Sequence, residues 1–212
     1  MTIYFLDDQE SQRKMLSWDL RSLFGNDFEI ASLPLKQDKT EYHRFLDDTA
    51  TVGVLIDQCL NESGEVTGFS GLDLALHLRG LYREMPIYLI TGFAPDEQMG
   101  SADAGSVEDI VKKDELRTNT VMSQLFKQRF LRHIGRYQEA LTARQARYRE
   151  LLTKSLQETI MPEERTELQT LEVDRLLPSQ AEDEAHLATL NEQVAAVEKL
   201  LANLRGHQKT NE

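Results

Sequence analysis

The chain has a single cysteine in 212 residues. Alone, Cys59 excludes an intramolecular disulfide framework and a cysteine-rich zinc site, and it fits a reducing compartment. Long hydrophobic runs are also missing, and none approaches the roughly 18–20 apolar residues a membrane-spanning helix needs. The leading segment MTIYFLDDQE has no basic stretch before its acidic pair, so no secretory signal is expected. Cations are in short supply: 24 Lys and Arg face 36 Asp and Glu, a formal net charge of -12. Charge of that sign opposes wrapping DNA or lying on an anionic membrane. With 40% hydrophobic and 28% charged residues, the composition is that of an ordinary soluble globular chain, expected to be cytoplasmic.

Glycine is scarce in one half only. Nine of the eleven glycines precede residue 119, and only Gly135 and Gly206 follow. Residues 1–119 hold eleven Lys and Arg against twenty-two Asp and Glu, whereas residues 120–212 hold thirteen against fourteen. The second part is rich in Leu, Ala, Glu, Gln and Arg. Two domains of different class are expected, 1–119 and 120–212, joined near residues 116–122.

In the first part, short apolar runs alternate with amphipathic stretches. Ile3–Leu6 reads as a buried strand that ends in Asp7 and Asp8. Ser11–Phe24 carries Met15, Leu16, Leu20, Leu23 and Phe24 at helical spacing and is closed by Gly25 and Asn26. Phe28–Leu33 is a weaker strand, and Thr40–Asp48 a short helix. Val52–Ile56 is a continuous apolar run that ends at Asp57. Leu72–Leu81 has helical spacing, Ile87–Ile90 ends at Thr91 and Gly92, and Ile110–Val111 ends at Lys112 and Lys113. Continuous apolar strands alternating with helices predict an α/β class, a doubly wound parallel sheet covered on both faces.

The carboxyl ends of parallel strands share one edge, and ligands bind in the crevice there. Residues that follow the predicted strands are Asp7 and Asp8, then Asp57, then Thr91, then Lys113. Three carboxylates a few ångströms apart repel, and a hard divalent cation such as Mg2+ removes the conflict. A carboxylate beside bound Mg2+ can accept a phosphoryl group, while an ammonium and a hydroxyl hold its other oxygens.

IYFLDDQE, VGVLID, PIYLITG and DIVKKDEL resemble the receiver domains of two-component response regulators, over about residues 1–120. The resemblance implies a flavodoxin-like sheet of five parallel strands. It implies that Asp57 is the phosphoacceptor and that Asp7 and Asp8 are the acidic metal pair, with Asp8 the direct ligand. Cys59 would lend a backbone carbonyl to Mg2+, Thr91 would be the switch hydroxyl, and Lys113 the active-site lysine. Lys112 is the rival to Lys113; the spacing from Thr91 and the acid that follows favour Lys113. The implied partner is a sensor histidine kinase or a phosphotransfer protein, and no activity beyond self-phosphorylation and self-dephosphorylation is expected. Three features depart from the family pattern. The stretch QCLNESGEVTGFSG after Asp57 is longer than usual, Asp114 stands where most receivers have a cis proline, and Ile110 is aliphatic where many carry an aromatic.

From about Thr120 to Ile160 no proline interrupts the chain, which predicts one long helix that begins in the receiver and leaves it. Phe130, Ile134, Tyr137, Leu141, Tyr148, Leu152 and Leu156 mark its apolar stripe. Met161 and Pro162 restart a second helix that ends near Pro178. Ser179 and Glu182 form a capping box for a third, in which Leu187, Leu190, Val194, Val197, Leu201 and Leu204 follow a coiled-coil seam. Such a seam suits a homodimer through the helical region, or an intramolecular bundle. Arg129, Arg132, Arg136, Arg144, Arg147 and Lys154 share about a third of the long helix's circumference. That stripe could meet nucleic-acid phosphates or simply balance acids on neighbouring helices; His133 beside it is a remote candidate for phosphotransfer.

The expected function is therefore a response regulator with a helical protein-interaction output. Two alternatives remain open: a phosphorylation-independent adaptor with a receiver fold, and a nucleic-acid-binding regulator that uses the basic stripe.

Overall fold

The computed structural model describes residues 1–48, 50–60, 67–92, 107–117 and 120–176, together with Leu187 and Val194. Five strands, β1 (Thr2–Leu6), β2 (Glu29–Ser32), β3 (Thr51–Asp57), β4 (Ile87–Thr91) and β5 (Asp109–Lys112), form one parallel sheet in the order β2-β1-β3-β4-β5. The central β3 is buried at every position, which is why its sequence is continuously apolar instead of alternating. Helices α1 (Glu10–Phe24) and α4 (Val121–Leu156) cover one face. There Leu20, Phe24, Phe126 and Phe130 pack on Ile3, Phe5, Leu55 and Tyr88. On the other face lie α2 (His43–Leu46) and α3 (Gly71–Leu81), where Leu46, Leu74 and Leu78 meet Leu6, Val54, Ile56 and Leu89. This is the doubly wound class that the apolar runs predict, in the flavodoxin-like five-stranded form that the resemblance implies.

Local chemistry sets the helix ends that matter for the site. Gly25 stops α1 at φ 71, a left-handed backbone that glycine adopts without cost, and its N–H donates to the Arg21 carbonyl. A reciprocal Ser70–Asp73 capping box starts α3. Thr120 caps α4, its hydroxyl accepting from the Ser123 N–H at 3.1 Å.

With 36 residues, α4 is about 54 Å long, and only its first half lies on the sheet. After Leu156 the chain reverses through Glu158 at φ 56, and a fifth helix, α5 (162–176), runs back along α4. Among the described residues, Leu151 and Leu168 are the buried apolar side chains of this hairpin. The expected stripe is corrected here: Leu152 and Leu156 are exposed, and Leu151 faces inward instead. Ion pairs on either side of Leu151, Arg147 to Glu167 at 2.7 Å and Lys154 to Glu164, fix that face against α5. The third helix lies mostly outside the described residues. Leu187 and Val194 are helical and exposed, and Leu190, Val197, Leu201 and Leu204 lie outside the description. Among the described residues no helix is long and apolar enough to cross a membrane.

Candidate functional site

Each residue that ends a strand reaches the same edge of the sheet. Asp7 and Asp8 form the turn between β1 and α1, and both are buried. Asp57 is the last residue of β3 and is 3% exposed. Its register partner in β4 is Ile90, so the buried Thr91 stands one residue further out on the neighbouring strand. Lys112 pairs with Thr91 at the end of β5 and faces solvent. Lys113 turns inward, where its ammonium donates to Asp7 Oδ2 at 2.8 Å and to Asp57 Oδ2 at 2.7 Å. Lys112 is the last residue of β5, whereas Lys113 opens the 3-10 turn that follows, and it is Lys113 that reaches the carboxylates.

Carboxylate oxygens of Asp7, Asp8 and Asp57 lie within 4.8 Å of one another. Three formal negative charges meet one ammonium, which leaves two negative charges in a buried place. Burial is the main reason the Asp57 carboxyl is pushed up to about 7; the Lys113 ammonium pulls it back down, and Asp7 adds to the rise. Burial also draws Lys113 down, but its bonds to Asp57 and Asp7 outweigh this and hold it above the ordinary lysine value. An all-oxygen donor set with a charge deficit of two fits a hard divalent cation such as Mg2+. Cys59, half-buried two residues past Asp57, donates its N–H to that carboxylate. Residues 61–66 of the long stretch after Asp57 lie outside the described residues.

Sequence patterns missed the residues that hold these groups. Arg13 Nη1 donates to the carbonyls of Asp7, at 2.8 Å, and of Asp8, at 3.2 Å. The Gln9 N–H donates to Asp7 Oδ1 at 2.9 Å. Gly71 packs the start of α3 so closely on Asp57 that a Cβ there would meet the Asp57 carbonyl oxygen at 2.0 Å. Its spacing after the DD pair is the only trace Arg13 leaves in the sequence; Gly71 leaves none beyond its being glycine.

Four of the six cations of the α4 stripe find acidic partners within the molecule. Arg129 pairs with Asp109 and Arg144 with Glu84; Arg147 meets Glu150, Glu164 and Glu167, and Lys154 meets Glu150 and Glu164. Groups already paired with acids gain little from phosphates, so the stripe supports hairpin packing better than nucleic-acid binding. His133 shares a 2.7 Å hydrogen bond with the Tyr88 hydroxyl through Nδ1, its ring stacked on that tyrosine. It closes the aromatic cluster between β4 and α4, which is a packing role.

No protein-family model matches the chain, and no curated protein matches it. Solved structures do. The response regulator StyR is similar at 20% identity over 91% of this chain and 98% of its own, with a TM-score of 0.52. NtrX from Brucella abortus matches at 20% identity over 69% of this chain, TM-score 0.48, and this chain spans 30% of that one. TrrA from Thermotoga maritima, in complex with Mg(2+)-BeF, matches at 19% identity over 61% of this chain and 97% of its own, TM-score 0.44. The chain carries the fold of response-regulator receiver domains, followed by a helical region.

Proposed function

We propose that this chain is a response regulator in which Asp57 accepts a phosphoryl group while Asp7, Asp8 and Asp57 hold Mg2+. The observation that supports this most is the Lys113 ammonium, which bridges Asp7 and Asp57 inside a cluster that still lacks two positive charges. The donor is the phosphohistidine of a sensor histidine kinase or of a phosphotransfer protein. In the transfer, a carboxylate oxygen of Asp57 forms a bond to phosphorus as the P–N bond to the donor imidazole breaks. The electron pair returns to the imidazole nitrogen. When bound, Mg2+ neutralises charge on the transferring oxygens. Lys113 would hold a second of those oxygens and the Thr91 hydroxyl a third, and the Cys59 backbone carbonyl would serve the metal. Beyond this self-modification and its hydrolysis the protein is a phosphoacceptor, not an enzyme. It works in the cytoplasm. The helical region 120–212 is its output, a protein-interaction module that forms a homodimer, with the stretch 187–204, nearly all of it outside the described residues, as a candidate seam beside the long helix.

Intact-mass spectrometry after incubation with acetyl phosphate tests the chemistry. The wild type should gain one phosphoryl group with Mg2+ and none without it. Light scattering tests the output: deleting residues 179–212 should lower the mass from dimer to monomer. A truncated chain that stays dimeric would place the contact in α4, α5 or the receiver.

A further inference from the structure

We infer that Arg13 is a positioning residue for the acidic pair, one that fixes the β1–α1 turn so that two successive carboxylates can serve one cation; the inference rests on the proposed Mg2+ site. In an extended strand, successive side chains point to opposite faces. Asp7 and Asp8 escape that rule because the chain bends between Leu6 at the end of β1 and Glu10 at the start of α1. The bend brings an oxygen of each carboxylate into one cluster with Asp57. It also turns the two carbonyls toward a single guanidinium nitrogen, Arg13 Nη1, which donates to both. Any twist of the turn that separates the two carboxylates also separates the two carbonyls, and so lengthens at least one of these bonds. Charge-assisted hydrogen bonds of this kind are the stronger class, and a guanidinium offers its N–H groups in a fixed planar fork. Gln9 fastens the same turn from the other side through Asp7 Oδ1.

Positioning and plain electrostatics predict opposite signs. Arg13 carries a positive charge close to a cation site. If charge were its only contribution, removing it would tighten Mg2+ binding. If it positions the carboxylates, removing it loosens binding, because groups that orient metal ligands typically cost about 10–100-fold in affinity when lost. Lys14 supplies the control. It is the next residue on α1, carries the same charge, is largely exposed and pairs with Glu10.

The test is calorimetric titration of the unphosphorylated full chain with Mg2+ alone, on wild type, Arg13→Met, Arg13→Lys and Lys14→Met, each first checked for a folded thermal transition. Arg13→Met should bind at least about tenfold more weakly. Arg13→Lys should fall between it and the wild type, and Lys14→Met should match the wild type or bind slightly tighter. Arg13→Lys carries the comparison if Arg13→Met fails to fold. An Arg13→Met chain that folds and binds Mg2+ as tightly as the wild type, or more tightly, overturns the positioning role while leaving the site intact. If the wild type takes up no Mg2+, the proposed site and this role of Arg13 fall together.

Discussion

Replacing Asp57 by Asn should stabilise the protein in the absence of metal, and the gain should grow with pH. The Asp57 carboxyl, ordinarily near 3.8, is pushed up to about 7 chiefly by burial. Between those values the folded chain binds a proton that the unfolded chain has lost. Stability therefore falls as pH rises from about 4 to about 7 and is level beyond. At roughly 1.4 kcal/mol per pH unit, the interval amounts to about 4 kcal/mol. The pull of Lys113 is already contained in that value of about 7, so a neutral Asn at position 57 removes the whole of the cost. The expectation is a gain on the order of 4 kcal/mol at pH 8 that shrinks toward zero near pH 4. Urea midpoints of both proteins across this range, with a chelator present, measure it. Saturating Mg2+ should then recover stability in the wild type, by about 2.7 kcal/mol at a hundred times its Kd. An Asn variant no more stable at pH 8, or a difference that ignores pH, would refute the charge balance drawn for the site.

Two further substitutions probe the frame. Gly71→Ala places a methyl 2.0 Å from the Asp57 carbonyl oxygen, so α3 must retreat and the bond from the Gly71 N–H to Gln58 O is lost; a drop of about 2–4 kcal/mol in thermal or urea unfolding is expected. A variant that melts with the wild type would show that the loop yields freely. Leu151→Ala removes the fully buried side chain of the hairpin, at a cost of about 2–5 kcal/mol concentrated in residues 151–176. Amide hydrogen exchange should quicken there while the β-sheet amides keep their protection, and uniform quickening would contradict it.

The residues that end the strands were legible because a buried parallel strand must be continuously apolar. A charge placed directly after such a run can only lie at the sheet edge. Asp7 and Asp57 are of this kind, and the spacing from Thr91 together with the acid that follows separated Lys113 from Lys112. The groups that hold them were not legible. Arg13 reads as one more charge on an amphipathic helix, because its function is a bond to backbone carbonyls, which sequence does not display. Gly71 was hidden for a similar reason: its requirement is set by the Asp57 carbonyl, fourteen residues away in the chain. Ion pairs account for the difference in the helical half. The basic stripe of α4 was visible, but its partners Glu84, Asp109, Glu164 and Glu167 lie on three other segments. Beside the pairs to Glu164 and Glu167, the buried line of α4 passes through Leu151 and not Leu152.

That Asp57 is the acceptor can be tested by trapping the acyl phosphate. Borohydride reduces an aspartyl phosphate to homoserine, which acid, trypsin and mass spectrometry all tolerate. After incubation with acetyl phosphate and Mg2+, peptide mapping should find homoserine at position 57 and nowhere else. Homoserine at Asp7 or Asp8, or its absence from a protein that binds Mg2+, would contradict the assignment of Asp57.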